Sequence, residues 1–153
     1  MHWISPETWR ESPGDEGRVR EGRAHAAIVF DGEAAIGWCQ FGSTEELPRI
    51  KHKKVYDAGL ETLPDWRITC FFVDKEYRKK GVTSLALKGA LSEIARLGGG
   101  LVESYPENAE GRKTSGSFLH NSTLSIFVRQ GFEQVRRLGM YHWVVTKQVK
   151  AQP

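Results

Sequence analysis

Residues 65–97 constrain the chain most, because they read as a strand, a tight basic loop and a long helix in unbroken succession. Trp66-Arg67-Ile68-Thr69-Cys70-Phe71-Phe72-Val73 is rich in β-branched and aromatic side chains, which fit a pleated, buried surface. Asp74 to Gly81 forms the loop. The helix is expected from about Val82 to Leu97, with apolar residues at 82, 85, 86, 90, 94 and 97, close to the helical period. Leu87, Leu91 and Ala95 widen that face. Polar residues at 84, 88 and 92 leave a narrow wet stripe, as expected of a helix laid over a sheet.

A helix entered through a basic, glycine-containing loop can hold a phosphate. Its first N–H groups lack intrahelical partners, and the helix dipole puts partial positive charge there. Gly81 lets the backbone approach an anion, and Arg78, Lys79 and Lys80 add formal charge. The rival reading is a solvated basic turn with an ordinary glycine, and the loop alone does not separate the two. Neither the dinucleotide fingerprint nor the Walker loop is present.

Upstream, Ala26–Phe30 and Ala34–Phe41 read as a hairpin about Asp31-Gly32-Glu33. Gly37 inside the second strand points to a bulge or a close backbone approach, with Ile36 and Trp38 beside it as core. Residues 1–23 are short and polar. They offer a short helix after Ser5-Pro6-Glu7, a break at 12–17 and a second short helix near Arg18-Val19-Arg20, but no complete first strand. Residues 43–65 read as irregular. Their basic run from Arg49 to Lys54 reads as a solvated loop or the rim of an anionic cofactor site, with a nucleic-acid surface as the alternative, although no aromatic residues interleave the run as in a single-strand platform.

Downstream, Gly98-Gly99-Gly100 stops the helix, and Leu101–Pro106 reads as a strand parallel to 66–73, joined to it by a βαβ crossover. Residues 107–120 read as a polar loop, and 121–131 as a helix ending at Gly131. A closing hairpin pairs 132–137 with 140–147, and Gln148–Pro153 reads as a frayed tail.

With 153 residues, 39% hydrophobic and 27% charged, the chain suits a single domain, 1–153, with its core in 24–147. A net charge of +3 suits an anionic small ligand as well as it suits nucleic acid. No apolar run matches a bilayer span or a signal-peptide core, so a cytoplasmic protein without membrane contact is expected. Cys39 and Cys70 lie in strand-like stretches without metal-ligand spacing. They read as buried thiols, with no disulfide and no metal.

Val73, four intervening residues and then Arg78-Lys79-Lys80-Gly81-Val82-Thr83 resemble the acyl-CoA signature of the GNAT N-acetyltransferase superfamily, Arg/Gln-x-x-Gly-x-Gly/Ala. Thr83 departs from the usual Gly/Ala. The hairpin with Ala-Ile-Gly-Trp resembles the second and third strands of that superfamily. The helix ending in Gly131-Phe132 resembles its Asn-(x)6-Tyr-x-Lys-x-Gly-Phe segment, with His120 at the Asn place and Phe127 at the Tyr place. The resemblance spans roughly 24–147. It implies an α/β (α+β) fold: a mixed, mostly antiparallel central sheet with a splayed parallel pair joined by a βαβ crossover and flanked by helices.

The resemblance also implies transfer of an acetyl group from acetyl-CoA to an amine of a small molecule or peptide, with no metal. Backbone at Phe71, Phe72 and Val73 would grip the thioester and pantetheine, a bulge in that strand freeing N–H groups. Arg78, Lys79, Lys80, Gly81, Val82, Thr83 and Ser84 would hold the pyrophosphate, and Phe127 would border the cofactor. Catalytic candidates are Glu103 as base, with Tyr105 on the same strand face, and His120, Tyr105 or Tyr141 as proton source, because Phe127 has no proton to give. His142 reads as a surface residue. Three readings stand: an N-acetyltransferase, a catalytically quiet acyl-CoA-binding module, and a nucleic-acid-associated protein using 49–54. The short N-terminus reads as a truncated start or as an acceptor site completed by a second copy in a homodimer.

Overall fold

The computed structural model describes residues 2–4, 25–50, 52–78, 80–107, 119–120 and 124–153, with the backbone alone for 2–4 and 119–120. Among the described residues eight strands form one sheet: β1 (His2–Ile4), β2 (His25–Asp31), β3 (Ala34–Gly42), β4 (Trp66–Val73), β5 (Gly100–Ser104), β6 (Leu119–His120), β7 (Glu133–Arg137) and β8 (Trp143–Val149). Their order is β1-β2-β3-β4-β5-β8-β7, with β6 also on β4. Only β4 and β5 pair in parallel among the described residues. The helices are α1 (Lys53–Ala58), α2 (Val82–Arg96) and α3 (Leu124–Arg129). The mixed, mostly antiparallel sheet with one parallel pair is the expected fold class.

The α2 crossover works because its apolar stripe is wide. Ala86, Leu87, Ala90 and Ile94 are buried against Val29, Cys39, Phe41, Ile68, Phe71 and Val102 on one face of the sheet. Phe127 of α3 and Phe132 beyond its end extend this core, their rings edge to face at 5.0 Å. Gly37 is required by proximity: a Cβ there would lie 2.6 Å from Val82 Cγ1 and 2.8 Å from the Phe72 carbonyl oxygen. The register between β2 and β3 also shifts beside it, between Val29 and Phe30, so both parts of the expectation hold.

Four expectations are corrected. The first strand exists, as β1, with His2 opposite Phe30 and Ile4 opposite Ile28. The helices expected within 5–20 lie outside the described residues. The irregular 43–65 stretch contains α1, whose only buried residue is Tyr56. One apolar anchor makes no period, so the helix left no pattern. The 107–120 loop ends in β6, while 108–118 lie outside the described residues. The tail does not fray at 148: β8 runs to Val149, and the Gln152 N–H donates to the Ala95 carbonyl at the end of α2, 2.8 Å away.

Candidate active site

The parallel pair is pinned at one end and open at the other. Asp65 N–H donates to the Leu101 carbonyl at 2.9 Å, and Leu101 N–H donates back to Asp65 Oδ2 at 2.8 Å. Trp66 Nε1 donates to the Gly99 carbonyl at 3.0 Å. Pairing then runs Trp66–Val102, Arg67–Glu103, Ile68–Ser104, and stops. At the last rung Ser104 Oγ donates to the Ile68 carbonyl at 2.6 Å. Beyond it Thr69 bulges: the register on β3 passes from Ile68–Phe41 to Cys70–Gln40. The bulge bends β4 at the place where its pairing with β5 ends. The expected split is present, and the strand carries the expected bulge, but the backbone at Phe71 and Phe72, which the bulge was expected to free, pairs with β6.

At the far end of β4, Asp74 caps a 3-10 turn (Lys75–Tyr77) by accepting from Glu76 N–H at 2.9 Å. Tyr77 Oη donates to Asp31 Oδ2 at 2.7 Å, tying this loop to the β2–β3 turn. Gly81 then opens α2 at φ 80, a left-handed conformation that costs glycine little. Arg78, Lys80 and Gly81 are exposed, and Thr83 and Ser84 are half-buried. Val82 is buried and can offer a ligand only its backbone. Lys79 lies outside the described residues. The first intrahelical bond is Leu85 N–H to the Gly81 carbonyl, so the N–H groups of Val82, Thr83 and Ser84 face outward from the helix end. Gln130, which the sequence did not single out, donates to the Ser84 carbonyl and hydroxyl at 3.0 and 3.1 Å, and so joins α3 to this turn.

Phe71 and Val73 are buried, and Phe72 stacks on Trp38 at 4.6 Å. Contact from this strand would come from backbone. On the split side, that backbone pairs with β6: Phe71 with His120 and Phe72 with Leu119. His120 therefore stands at the split by register. Phe127 is 0% exposed and packs edge to face on Phe71 at 5.9 Å, inside the core, with no surface offered to the split. Tyr141 and His142 lie at the end of the β7–β8 hairpin, His142 bridging to Glu107.

Glu103 and Tyr105 do come together, on the sheet face away from α2. Tyr105 Oη donates to Glu103 Oε1 at 2.8 Å, and the two residues are 2% and 4% exposed, Tyr105 the lower. Burial, then the Glu103 charge, push the Tyr105 phenol well above its usual range. Such a phenol holds its proton and is a poor acid for a leaving thiolate. Two residues missed in the sequence join them. Arg67, 2% exposed and paired in register with Glu103, donates from Nη1 to the Leu47 carbonyl at 2.9 Å. Tyr56, 0% exposed, reaches the cluster from α1, its ring edge to face with Tyr105 at 5.6 Å. No periodicity could have revealed them, because an arginine within an apolar strand and one tyrosine in a basic run are single residues. Cys39 is a buried thiol, pushed upward by burial and by nearby Cys70. Cys70 is half-buried, not buried as expected, and the two form no disulfide.

The sequence model of the acetyltransferase (GNAT) family matches residues 1–110. The chain belongs to that family. Acetyl transfer is the chemistry that defines this acetyltransferase family, and the split sheet with a helix N-terminus at its end is its framework here. Solved structures share the GNAT fold. The PaiA N-acetyltransferase from Thermoplasma acidophilum, in complex with coenzyme A, superposes with TM-score 0.54 at 13% identity, covering 87% of this chain and 68% of its own. Aminoglycoside 6'-acetyltransferase type Ii gives 0.55 at 15% identity, over 97% and 84%. An aminoglycoside 6'-N-acetyltransferase complexed with coenzyme A gives 0.53 at 16%, over 96% and 87%. No curated protein matches the chain significantly. Among the described residues no group of three metal-ligating side chains forms, and no helix is long and apolar enough to cross a membrane.

Proposed function

We propose that this GNAT protein is a single-domain N-acetyltransferase that moves an acetyl group from acetyl-CoA to an amine of a small molecule or peptide by direct attack. The observation that carries the reading is the split of β4 from β5 after the Ile68–Ser104 rung, with the N-terminus of α2 beyond it. Coenzyme A in two similarly folded proteins supports the same donor here. The pantetheine would lie along Phe71, Phe72 and Val73. The pyrophosphate would meet the amides of Val82, Thr83 and Ser84, with Arg78, Lys79 and Lys80 supplying charge around Gly81.

In the reaction the amine nitrogen attacks the thioester carbonyl carbon, the amine proton passes to Glu103, and the carbon–sulfur bond breaks as thiolate leaves. The thiolate takes its proton from water or from His120, whose intrinsic pKa lies near neutrality. Tyr105 orients Glu103.

A second reading, a catalytically quiet acyl-CoA-binding module, is favoured by two observations. Phe127 carries no hydroxyl and is sealed in the core, and β6 occupies backbone that pantetheine would use.

Acetyl-CoA at about 100 times its Kd is expected to stabilise the protein by roughly 2.7 kcal/mol. Gly81→Asp and Arg78→Glu should remove that shift while the fold persists. No shift in the wild type overturns both readings, and unchanged affinity in the two variants refutes the phosphate loop. Acceptor-dependent release of CoA across an amine panel supports the enzyme. Binding without release supports the quiet module.

A further inference from the structure

We propose that Gln130 is a positioning residue for the phosphate turn of α2. It holds Ser84 so that the Ser84 hydroxyl donates its hydrogen to the pyrophosphate of the acyl donor. This inference rests on the acetyltransferase reading and adds to it a residue from outside the strand, loop and helix that carry the acyl-CoA signature. The turn that presents Gln130 is rigid for local reasons. Gly131 takes φ 91, and Phe132 N–H donates to the Phe127 carbonyl at 3.1 Å, so α3 ends in a left-handed glycine turn. Phe127 and Phe132 are both buried and anchor that turn on either side of Gln130.

Gln130 is half-buried and lies one residue past α3. Its backbone carbonyl belongs to the last turn, where no later helical N–H can reach it. Lys147 Nζ, from β8, donates to that carbonyl at 2.5 Å and puts positive charge at the helix C-terminus. The side chain runs to a different element. Nε2 donates to the Ser84 carbonyl at 3.0 Å and to Ser84 Oγ at 3.1 Å. A carbonyl only accepts, so the amide nitrogen, not the amide oxygen, must face Ser84. Gln130 thereby ties the start of α2 to β8, which pairs with β5. β4, the strand that leads to α2, parts from β5 after the Ile68–Ser104 rung, so the tie joins the two sides of the split.

The contact has a chemical consequence at the hydroxyl. A serine within a helix can turn its hydrogen back to a carbonyl of the preceding turn. Here the Gln130 amide fills an acceptor site of Ser84 Oγ, and the hydroxyl donates to no described residue. Its hydrogen is left beside the N–H groups of Val82, Thr83 and Ser84, at the end of α2 where Arg78 and Lys80 are exposed. A brace between α3 and α2 needs only the bond to the Ser84 carbonyl. The second bond, to the hydroxyl, aims a donor at the place where an anion would sit.

The test uses the full chain, with its backbone amides followed by NMR. CoA and S-acetylpantetheine, which has the thioester arm and no pyrophosphate, are titrated separately, and the amide shifts give each dissociation constant. In the wild type CoA should move the amides of Val82, Thr83 and Ser84. Ser84→Ala should weaken CoA binding about tenfold, the usual loss of one hydrogen bond to a charged group. Gln130→Met keeps the side-chain length without the amide and should weaken it about fivefold, since the hydroxyl remains but is no longer aimed. Gln130→Glu should weaken it further, because a carboxylate accepts the Ser84 hydrogen and repels the pyrophosphate. Adding Gln130→Met to Ser84→Ala should cost no more than about twofold beyond Ser84→Ala alone, and S-acetylpantetheine should bind every variant within about twofold of the wild type. Equal losses for the two donors mean a loosened α3 and overturn the proposal. Unchanged CoA affinity in Gln130→Met or in Ser84→Ala overturns it too, and the second variant decides should the first fail to fold. A wild type in which CoA leaves the 82–84 amides unmoved defeats the acetyltransferase reading itself, whereas CoA binding there with fully additive losses in the double variant defeats this inference alone.

Discussion

The two faces of the sheet around β4 and β5 are built on different plans. Toward α2 the packing is apolar but for one residue: Ile68, Phe71, Val102 and Phe127 meet a helix whose buried residues are Ala, Leu, Ile, Val, Gly and one glutamate, Glu93, held by Arg96 at the helix margin. On the opposite face lie Arg67 of β4, Glu103 of β5 and Tyr105 just after β5, with the Tyr56 ring edge to face on Tyr105. The first face is redundant, since many residues share the burial. The second depends on single residues with specific partners. Under the proposed function, stability is concentrated on one side of the sheet and chemistry on the other, and substitutions should separate the two properties.

The largest separation is expected from Glu103→Gln. It should reduce amine-dependent CoA release by about 10²-fold or more, the usual loss of a general base, and change folding stability by only about 1 kcal/mol. Steady-state kinetics beside urea unfolding reads both numbers. A loss of folding of the size seen in core variants, with activity retained, would break the contrast between the faces.

Phe127→Ala should do the reverse. Emptying a fully buried ring position costs about 3–5 kcal/mol, read as a fall in urea midpoint. Phe127→Tyr places a hydroxyl where no described surface opens, and should cost about 1–3 kcal/mol unless that hydroxyl finds a partner. Gly37→Ala acts on the same face through overpacking against Val82 and the Phe72 carbonyl, by about 1–3 kcal/mol.

The smallest effect is a pH dependence. Tyr105 and Tyr56 have raised phenol pKa values, and Cys39 a raised thiol pKa. In each case the unfolded chain ionises first as pH rises. Stability from these groups is fully present below their unfolded values and is lost as pH climbs through about 9 to 10 and beyond. Tm should thus be level near neutrality and fall in the alkaline range. Tyr105→Phe should flatten the part above about pH 10, and Cys39→Ala the part that begins near pH 9. An alkaline limb identical in both variants would sink the assignment.

The sequence made the α2 face legible because periodicity is a property of many residues at once. The strand, the long helix and the parallel partner strand all followed from it. The basic loop with Gly81 and the close approach at Gly37 were legible as glycines and charges out of pattern, and the bulge in β4 followed from the resemblance to the acetyltransferase family. Glu103 and Tyr105 were visible as alternate residues on one strand. Arg67 and Tyr56 beside them were not, because Arg67 sits in an otherwise apolar run and Tyr56 in a basic one, and contact across such distances leaves no local trace. α1 was missed for the same reason, being anchored by tertiary contacts rather than by an amphipathic stripe. β1 and β6 are too short to produce a strand pattern.

The bond from Arg136 to the Tyr56 carbonyl joins residues 80 apart in sequence and closes the C-terminal end of a helix too short to persist alone. Synthesis proceeds from the N-terminus, so α1 leaves the ribosome long before its clasp exists. The α2 face can assemble while the chain is still growing, whereas the wall over Glu103 must wait for β7. A ribosome-stalled chain ending before residue 133 should therefore show protected amides in α2 and unprotected ones across 53–58, so that competence for chemistry arrives as one of the last events in the life of the nascent protein.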